Sequence, residues 1–147
     1  MRLVVPTEVL DSMRAHGEQT YPYECCGFML GAAADGEQRI VEVRAQVNER
    51  TESRENRFVI SPDQFREAEK GAKSQGLQLV GIYHSHPDSP ARPSEYDRDH
   101  AWPWFSYLIV SVRGGKAVEA NVWRLRDDRS GFDPVALEAP AAAVKGD

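Results

Sequence analysis

Three of the four histidines, His84, His86 and His100, fall within seventeen positions, in the same stretch as Ser94, Asp97 and Asp99. Imidazoles and carboxylates at that density point to a metal ion. Side chains in a strand alternate between faces, so His84 and His86 project to one side and can converge on a single ion, while Ser85 points away. Pro87 removes a backbone donor directly after the second histidine, which ends the strand and leaves the pair at its open end. Pro87 and residues 88–93 hold three prolines in seven positions, a stiff connection that returns the chain to a helix whose first turn is Ser94-Glu95-Tyr96-Asp97. Asp97 is the natural third ligand. Two nitrogens, one carboxylate oxygen and a water make the open tetrahedral set of a catalytic zinc site.

Such a site needs a general base, because the proton of an activated water must still reach the leaving group. Glu24 is the candidate: it stands just before the apolar run 26–30, where a carboxylate can be held at the edge of the core. Ser94 is a good N-cap for the helix that presents Asp97. His100 lies three residues after Asp97 on the same helix face and is placed to support the metal ligands; read alone, it is, like His16, an ordinary hydrogen-bonded histidine. Cys25 and Cys26 follow Glu24. Thiolates bind zinc, but small buried side chains packing a strand start is the simpler reading. Asp88, Glu95 and Asp99 read as solvated charges.

The elements that must position these residues follow from the pattern around them. Thr7 caps a helix whose face is Val9, Leu10 and Met13 and which ends near Gly17, before Tyr21-Pro22-Tyr23. Residues 26–31 and 39–47 form a hairpin, with the turn in 32–38 around Asp35-Gly36. Residues 48–56 read as a polar loop and 57–60 as a short strand. Ser61-Pro62 starts a second helix that stops near Gly76, and residues 77–86 form a central strand. Further strands fall at 105–112, 117–125 and 135–137, with a turn at 113–116, and 139–147 reads as a loose tail. The pattern is a mixed α+β single domain over residues 1–138. Trp102, Trp104 and Phe105, around Pro103, either form an exposed docking surface or close the core.

Composition narrows the class. A chain of 147 residues with 41% hydrophobic and 28% charged residues fits one domain with a real core and excludes disorder or coiled coil as its main description. A formal net charge of −5 with no basic run argues against nucleic acid as the principal partner. The strongest apolar stretches, such as 107–110, are far short of a membrane span, and the two cysteines are adjacent, so the expectation is a cytoplasmic protein in a reducing compartment.

The string His84-Ser85-His86-Pro87, six residues, then Ser94-Glu95-Tyr96-Asp97 resembles the signature of the JAMM (MPN+) zinc metallopeptidases, H-x-H-P-x6-S-x2-D, at every fixed position. The segment 22–31 around Glu24 looks like the one that holds the family's catalytic glutamate, and the resemblance covers about residues 3 to 125. It implies a cytidine-deaminase-like, MPN-type mixed β-sheet flanked by helices, with one zinc held by His84, His86 and Asp97. It also implies that Glu24 is the general acid/base and that Ser94 donates a hydrogen bond to the oxyanion. The short loops resemble those of the stand-alone prokaryotic type. The implied substrate is an amide bond after the C-terminal Gly-Gly of a ubiquitin-like or sulfur-carrier protein, whose tail lies extended beside a sheet edge. Two other readings share the motif: a non-catalytic scaffold of the same fold, and a RadC-like relative associated with DNA repair.

Overall fold

A computed structural model describes residues 1–50, 52–54 and 57–140. The chain runs β1 (Arg2–Val4), α1 (Thr7–Thr20), β2 (Cys26–Ala34), β3 (Glu37–Gln46), α2 (Pro62–Ser74), β4 (Gln78–Pro87), α3 (Glu95–His100), β5 (Ser106–Arg113), β6 (Lys116–Leu125) and β7 (Phe132–Glu138). The strands form one mixed sheet in the order β1-β3-β2-β4-β5-β6-β7, with β4 and β5 parallel at its centre. The three residues of β1 pair parallel with both β3 and β7, which closes the sheet into a barrel.

Period-two alternation divides the core. Met29, Tyr83, Leu108 and Val110 pack with Leu10 and Met13 of α1. Phe28, Leu30, Ile82 and Tyr107 pack with Ala68 and Ala72 of α2 on the opposite face. His84 and His86 share parity with Ile82 and so belong to the α2 face, while Ser85 belongs to the α1 face. The β2–β3 hairpin turns through Asp35 and Gly36 alone, both at positive φ (50° and 76°), a two-residue turn whose twist suits the strands. Ser61 caps α2 in a capping box: its Oγ accepts from Gln64 N at 3.2 Å, and Gln64 Oε1 accepts from Ser61 N at 2.7 Å.

Three expectations need correction. Thr7 does not cap α1, whose cap position is Pro6; its Oγ1 instead donates to the carbonyls of Ala139 and Pro140, at 3.0 and 2.9 Å. That contact ties down the start of the expected tail, of which 141–147 lie outside the described residues. The helix does not stop at Gly17 but runs to Thr20. The glycine serves close packing, because a Cβ there would lie 3.0 Å from Val112 Cγ2 and 3.3 Å from Ser85 Cβ. Residues 57–60 are not a strand, because their backbone pairs with side chains and a loop instead of a neighbouring strand. The expected loop 48–56 holds no helix or strand where it is described, and residues 51, 55 and 56 lie outside the described residues.

At the β4–β5 junction, a Cβ built on Gly81 would sit 1.8 Å from the carbonyl oxygen of Ser106. Backbone on both sides leaves nothing flexible to yield. Gly81→Ala is therefore expected to lower stability by about 3 kcal/mol or more, read as a fall in the midpoint of urea unfolding with unchanged slope.

Candidate active site

β4 and α3 bring three of the predicted residues to one point. His84 Nε2 lies 3.2 Å from His86 Nε2, and Asp97 Oδ2 lies 3.0 Å from His86 Nε2 and 3.4 Å from His84 Nε2. Ligands at 2.0–2.1 Å around a tetrahedral zinc stand about 3.3 Å apart. The three atoms thus form a triangle of the size that one face of such a site requires. Glu24 completes the cluster: a carboxylate oxygen lies within 4.8 Å of a nitrogen of each histidine, so Glu24, His84 and His86 are a possible metal-binding set. The shorter distances favour Asp97 as the third ligand, with Glu24 at the open side.

The protonation states suit a cation. His86 Nδ1 lies 2.9 Å from the carbonyl of Pro90, which can only accept, so Nδ1 is the donor there and Nε2 is the nitrogen turned to the cluster. Burial pushes the pKa of His84 down, against the raising effect of Asp97, and so favours the neutral ring. Burial pushes Asp97 up, but His84 and His86 outweigh it and hold its carboxyl well below the usual carboxylate range. Glu24 is 3% exposed, and its Oε1 has no hydrogen-bond partner. Burial first, and the charge of Asp97 second, push its pKa up to about 9. An orphaned buried carboxyl oxygen beside converging lone pairs is the chemistry of a cation site.

Local structure explains why these groups hold their places. Ser94 Oγ accepts from Asp97 N at 3.1 Å, and Asp97 Oδ2 accepts from Ser94 N at 2.9 Å, a capping box that fixes the carboxylate's rotamer. The far end of α3 is braced by Arg129, whose guanidinium donates to the carbonyls of Ala101 and Arg98 at 2.9 and 3.0 Å. The proline-rich connection is stapled to β6 at Ala91: Glu119 Oε1 accepts from its N–H at 2.9 Å, and Trp123 Nε1 donates to its carbonyl at 3.0 Å. Asp88 is solvent-exposed, as expected of a solvated charge, and is also tied into the structure. Its carboxylate accepts from the Tyr21 hydroxyl at 2.6 Å and from Gly114 N at 2.9 Å, and the tyrosine bond holds its pKa down.

The remaining candidates separate clearly. Ser85 Oγ accepts from Cys25 N at 2.8 Å and is structural, as expected. Burial pushes the Cys25 thiol up to about 12 and the Cys26 thiol higher still, so both are protonated packing groups at neutral pH. His100 makes no hydrogen bond to the cluster; its Nδ1 meets the Tyr96 carbonyl at 2.8 Å and its ring stacks on Tyr96. Trp102 and Trp104 are 47% and 62% exposed and stack on each other, whereas Phe105 turns inward against Phe65.

Two depressions meet at the cluster. One, of about 410 Å³, is lined by Glu24, His86 and Ser94. The other, of about 230 Å³, has His84 and Asp97 on one wall and Phe58, Ile60, Phe65 and Trp102 among its apolar lining. Residues 58–60 thus form a wall of the site. Nothing in their composition signalled that, nor the use of the Pro90 carbonyl to orient His86.

The family model described as prokaryotic homologs of the JAB domain matches residues 6–126. A desampylase of Haloferax volcanii is 31% identical over 127 residues, covering 83% of this chain and 88% of that protein. A probable TtuB-protein conjugate cleaving protease of Thermus thermophilus is 32% identical over 78% of this chain and 74% of its own length. Among solved structures, that of a protein from Salinibacter ruber superposes with a TM-score of 0.73 at 42% identity, covering 95% of this chain and 92% of that one. The chain belongs to the prokaryotic branch of the JAB (JAMM/MPN) family, of the stand-alone type.

Proposed function

We propose that this protein is a zinc-dependent hydrolase that cleaves the peptide or isopeptide bond after the C-terminal Gly-Gly of a ubiquitin-like or sulfur-carrier protein. The observation that carries the reading is the triangle of His84 Nε2, His86 Nε2 and Asp97 Oδ2, with the buried carboxyl of Glu24 beside it. Relatives that span most of this chain bear the names desampylase and conjugate cleaving protease, which supports hydrolysis of ubiquitin-like conjugates. Helices packed on both faces of a mixed sheet support reading the fold as cytidine-deaminase-like. The two free cysteines fit a reducing compartment, and we place the enzyme in the cytoplasm.

His84, His86 and Asp97 would hold the zinc, which supplies Lewis acidity to polarise the scissile carbonyl and acidify a water. Glu24, left ionised once the charge of the bound cation offsets its burial, takes the proton of the attacking water and returns it to the leaving amine. Its burial keeps that proton between the two reacting atoms. Ser94 Oγ accepts from the helix, so its own hydroxyl proton is free to meet the developing oxyanion at the rim of the larger depression. Gly-Gly has no side chain to fill the apolar depression, which therefore takes an apolar side chain further up the tail.

The reading is tested by purifying the protein without added metal, measuring zinc per chain, and assaying cleavage of a ubiquitin-like carrier extended past Gly-Gly. One zinc per chain with chelator-sensitive cleavage is expected. Absence of zinc after gentle purification would overturn it. Ser94→Ala is expected to lower kcat about 100-fold with zinc retained, and to cost about 1 kcal/mol of stability through the lost cap. Unchanged kcat would remove the oxyanion role and leave only the cap.

A further inference from the structure

We infer that Asn48 is a positioning residue that sets the carboxyl of Glu24 and couples it to the wall of the apolar depression. This rests on the proposal that Glu24 is the base. Glu24 precedes β2, so no strand ladder fixes it. Its backbone is held from the loop after β3: its N–H donates to the Arg54 carbonyl at 2.6 Å, and its carbonyl accepts from Asn48 Nδ2 at 3.3 Å.

The amide of Asn48 is fully used. Nδ2 also donates to the Arg57 carbonyl at 3.0 Å, and Oδ1 accepts from Arg50 N and Val59 N, both at 3.0 Å. Carbonyls accept and backbone N–H groups donate, so all four contacts require the same orientation of the amide. A fifth bond, from Glu49 N to the Val59 carbonyl at 3.1 Å, clamps the same two segments together. Phe58, Val59 and Ile60 line the depression, so one side chain joins the wall that a substrate side chain presses on to the backbone of the base.

The carboxyl of Glu24 has no hydrogen bond at Oε1 to correct a shift of its backbone. Loss of the Asn48 donors therefore moves the reactive oxygen directly. A displacement near 1 Å is enough to cost about 100-fold in rate. The signature is a loss in kcat with the metal ligands untouched, because none of the Asn48 contacts involves His84, His86 or Asp97.

The experiment compares zinc-loaded full-length wild type, Asn48→Asp, Asn48→Ala and Glu24→Gln on the extended ubiquitin-like carrier, with kcat and KM taken across pH. Asn48→Asp keeps an acceptor for Arg50 and Val59 but loses both donors, and so guards against a folding defect in Asn48→Ala. The expected result is a kcat lowered about 10- to 100-fold, a displaced pH midpoint of kcat, KM within about threefold and zinc per chain unchanged. Wild-type kcat and pH midpoint in both variants, a loss confined to KM, or a loss that follows zinc content would each overturn the inference. If Glu24→Gln cleaves at the wild-type rate, the base assignment has failed; if Glu24→Gln is inactive while the Asn48 variants match wild type, the coupling alone has failed.

Discussion

Glu24→Gln is expected to reduce cleavage of a Gly-Gly conjugate by about 1,000-fold while leaving one zinc per chain. The substitution keeps shape and volume and removes only the capacity to take and return a proton, a role typically worth 10²–10⁴ in rate. Zinc stays because the tighter ligand triangle belongs to His84, His86 and Asp97. The same substitution has a second, opposite effect on the metal-free protein. The carboxyl of Glu24 titrates near 4.5 when exposed and at about 9 in the fold. Between those values the folded chain keeps a proton that the unfolded chain has released, so stability is full below the lower value and falls as pH rises toward the higher one. Glutamine has no such proton to lose. Chelated Glu24→Gln is therefore expected to melt several degrees above chelated wild type at pH 8, with the two curves converging below pH 4.5. Equal melting points across that range would show that the carboxyl is not held in a desolvated site.

The triangle of candidate ligands was legible because it is local. Alternation along β4 puts His84 and His86 on one face, and a serine three residues before an aspartate is a capping box, so Ser94 and Asp97 bond to each other whatever the rest of the chain does. Glu24 is a different kind of residue. Its place depends on Asn48 and Arg54, far along the chain and in a segment whose composition reads only as a polar loop. The apolar run Phe58-Val59-Ile60 has strand propensity, but strand pairing is a property of the partner. Here the Asn48 amide and the Tyr96 hydroxyl take the bonds a neighbouring strand would take. Closure of the sheet by β1 was equally hidden, since its three residues pair with two strands from opposite ends of the chain. Thr7 and Gly17 show the same limit from the helix side. Each has the residue type of a helix terminus, and each is spent on a long-range contact instead.

Asp97→Ala is expected to abolish both zinc binding and cleavage, to less than about 0.1 zinc per chain and at least a 1,000-fold loss in rate. Removing one of three protein ligands leaves two neutral nitrogens, and the lost ligand is the only anionic one in the triangle. Part of any destabilisation comes from the helix, because Asp97 Oδ2 also accepts from Ser94 N at 2.9 Å. Asp97→Asn separates the two effects: an amide oxygen can still accept from Ser94, while the charge that holds the cation is gone. The decisive comparison is the response to chelator. An ion bound at 100 times its dissociation constant stabilises the fold by about 2.7 kcal/mol, roughly 5–10 °C in melting temperature for a chain of this size. Wild type is expected to lose that increment on chelation, and Asp97→Asn to show none because it never held the ion. A chelator-sensitive melting point and full activity in either variant would remove Asp97 from the ligand set, and would shift the third protein ligand to Glu24, the other carboxylate within reach of both histidines.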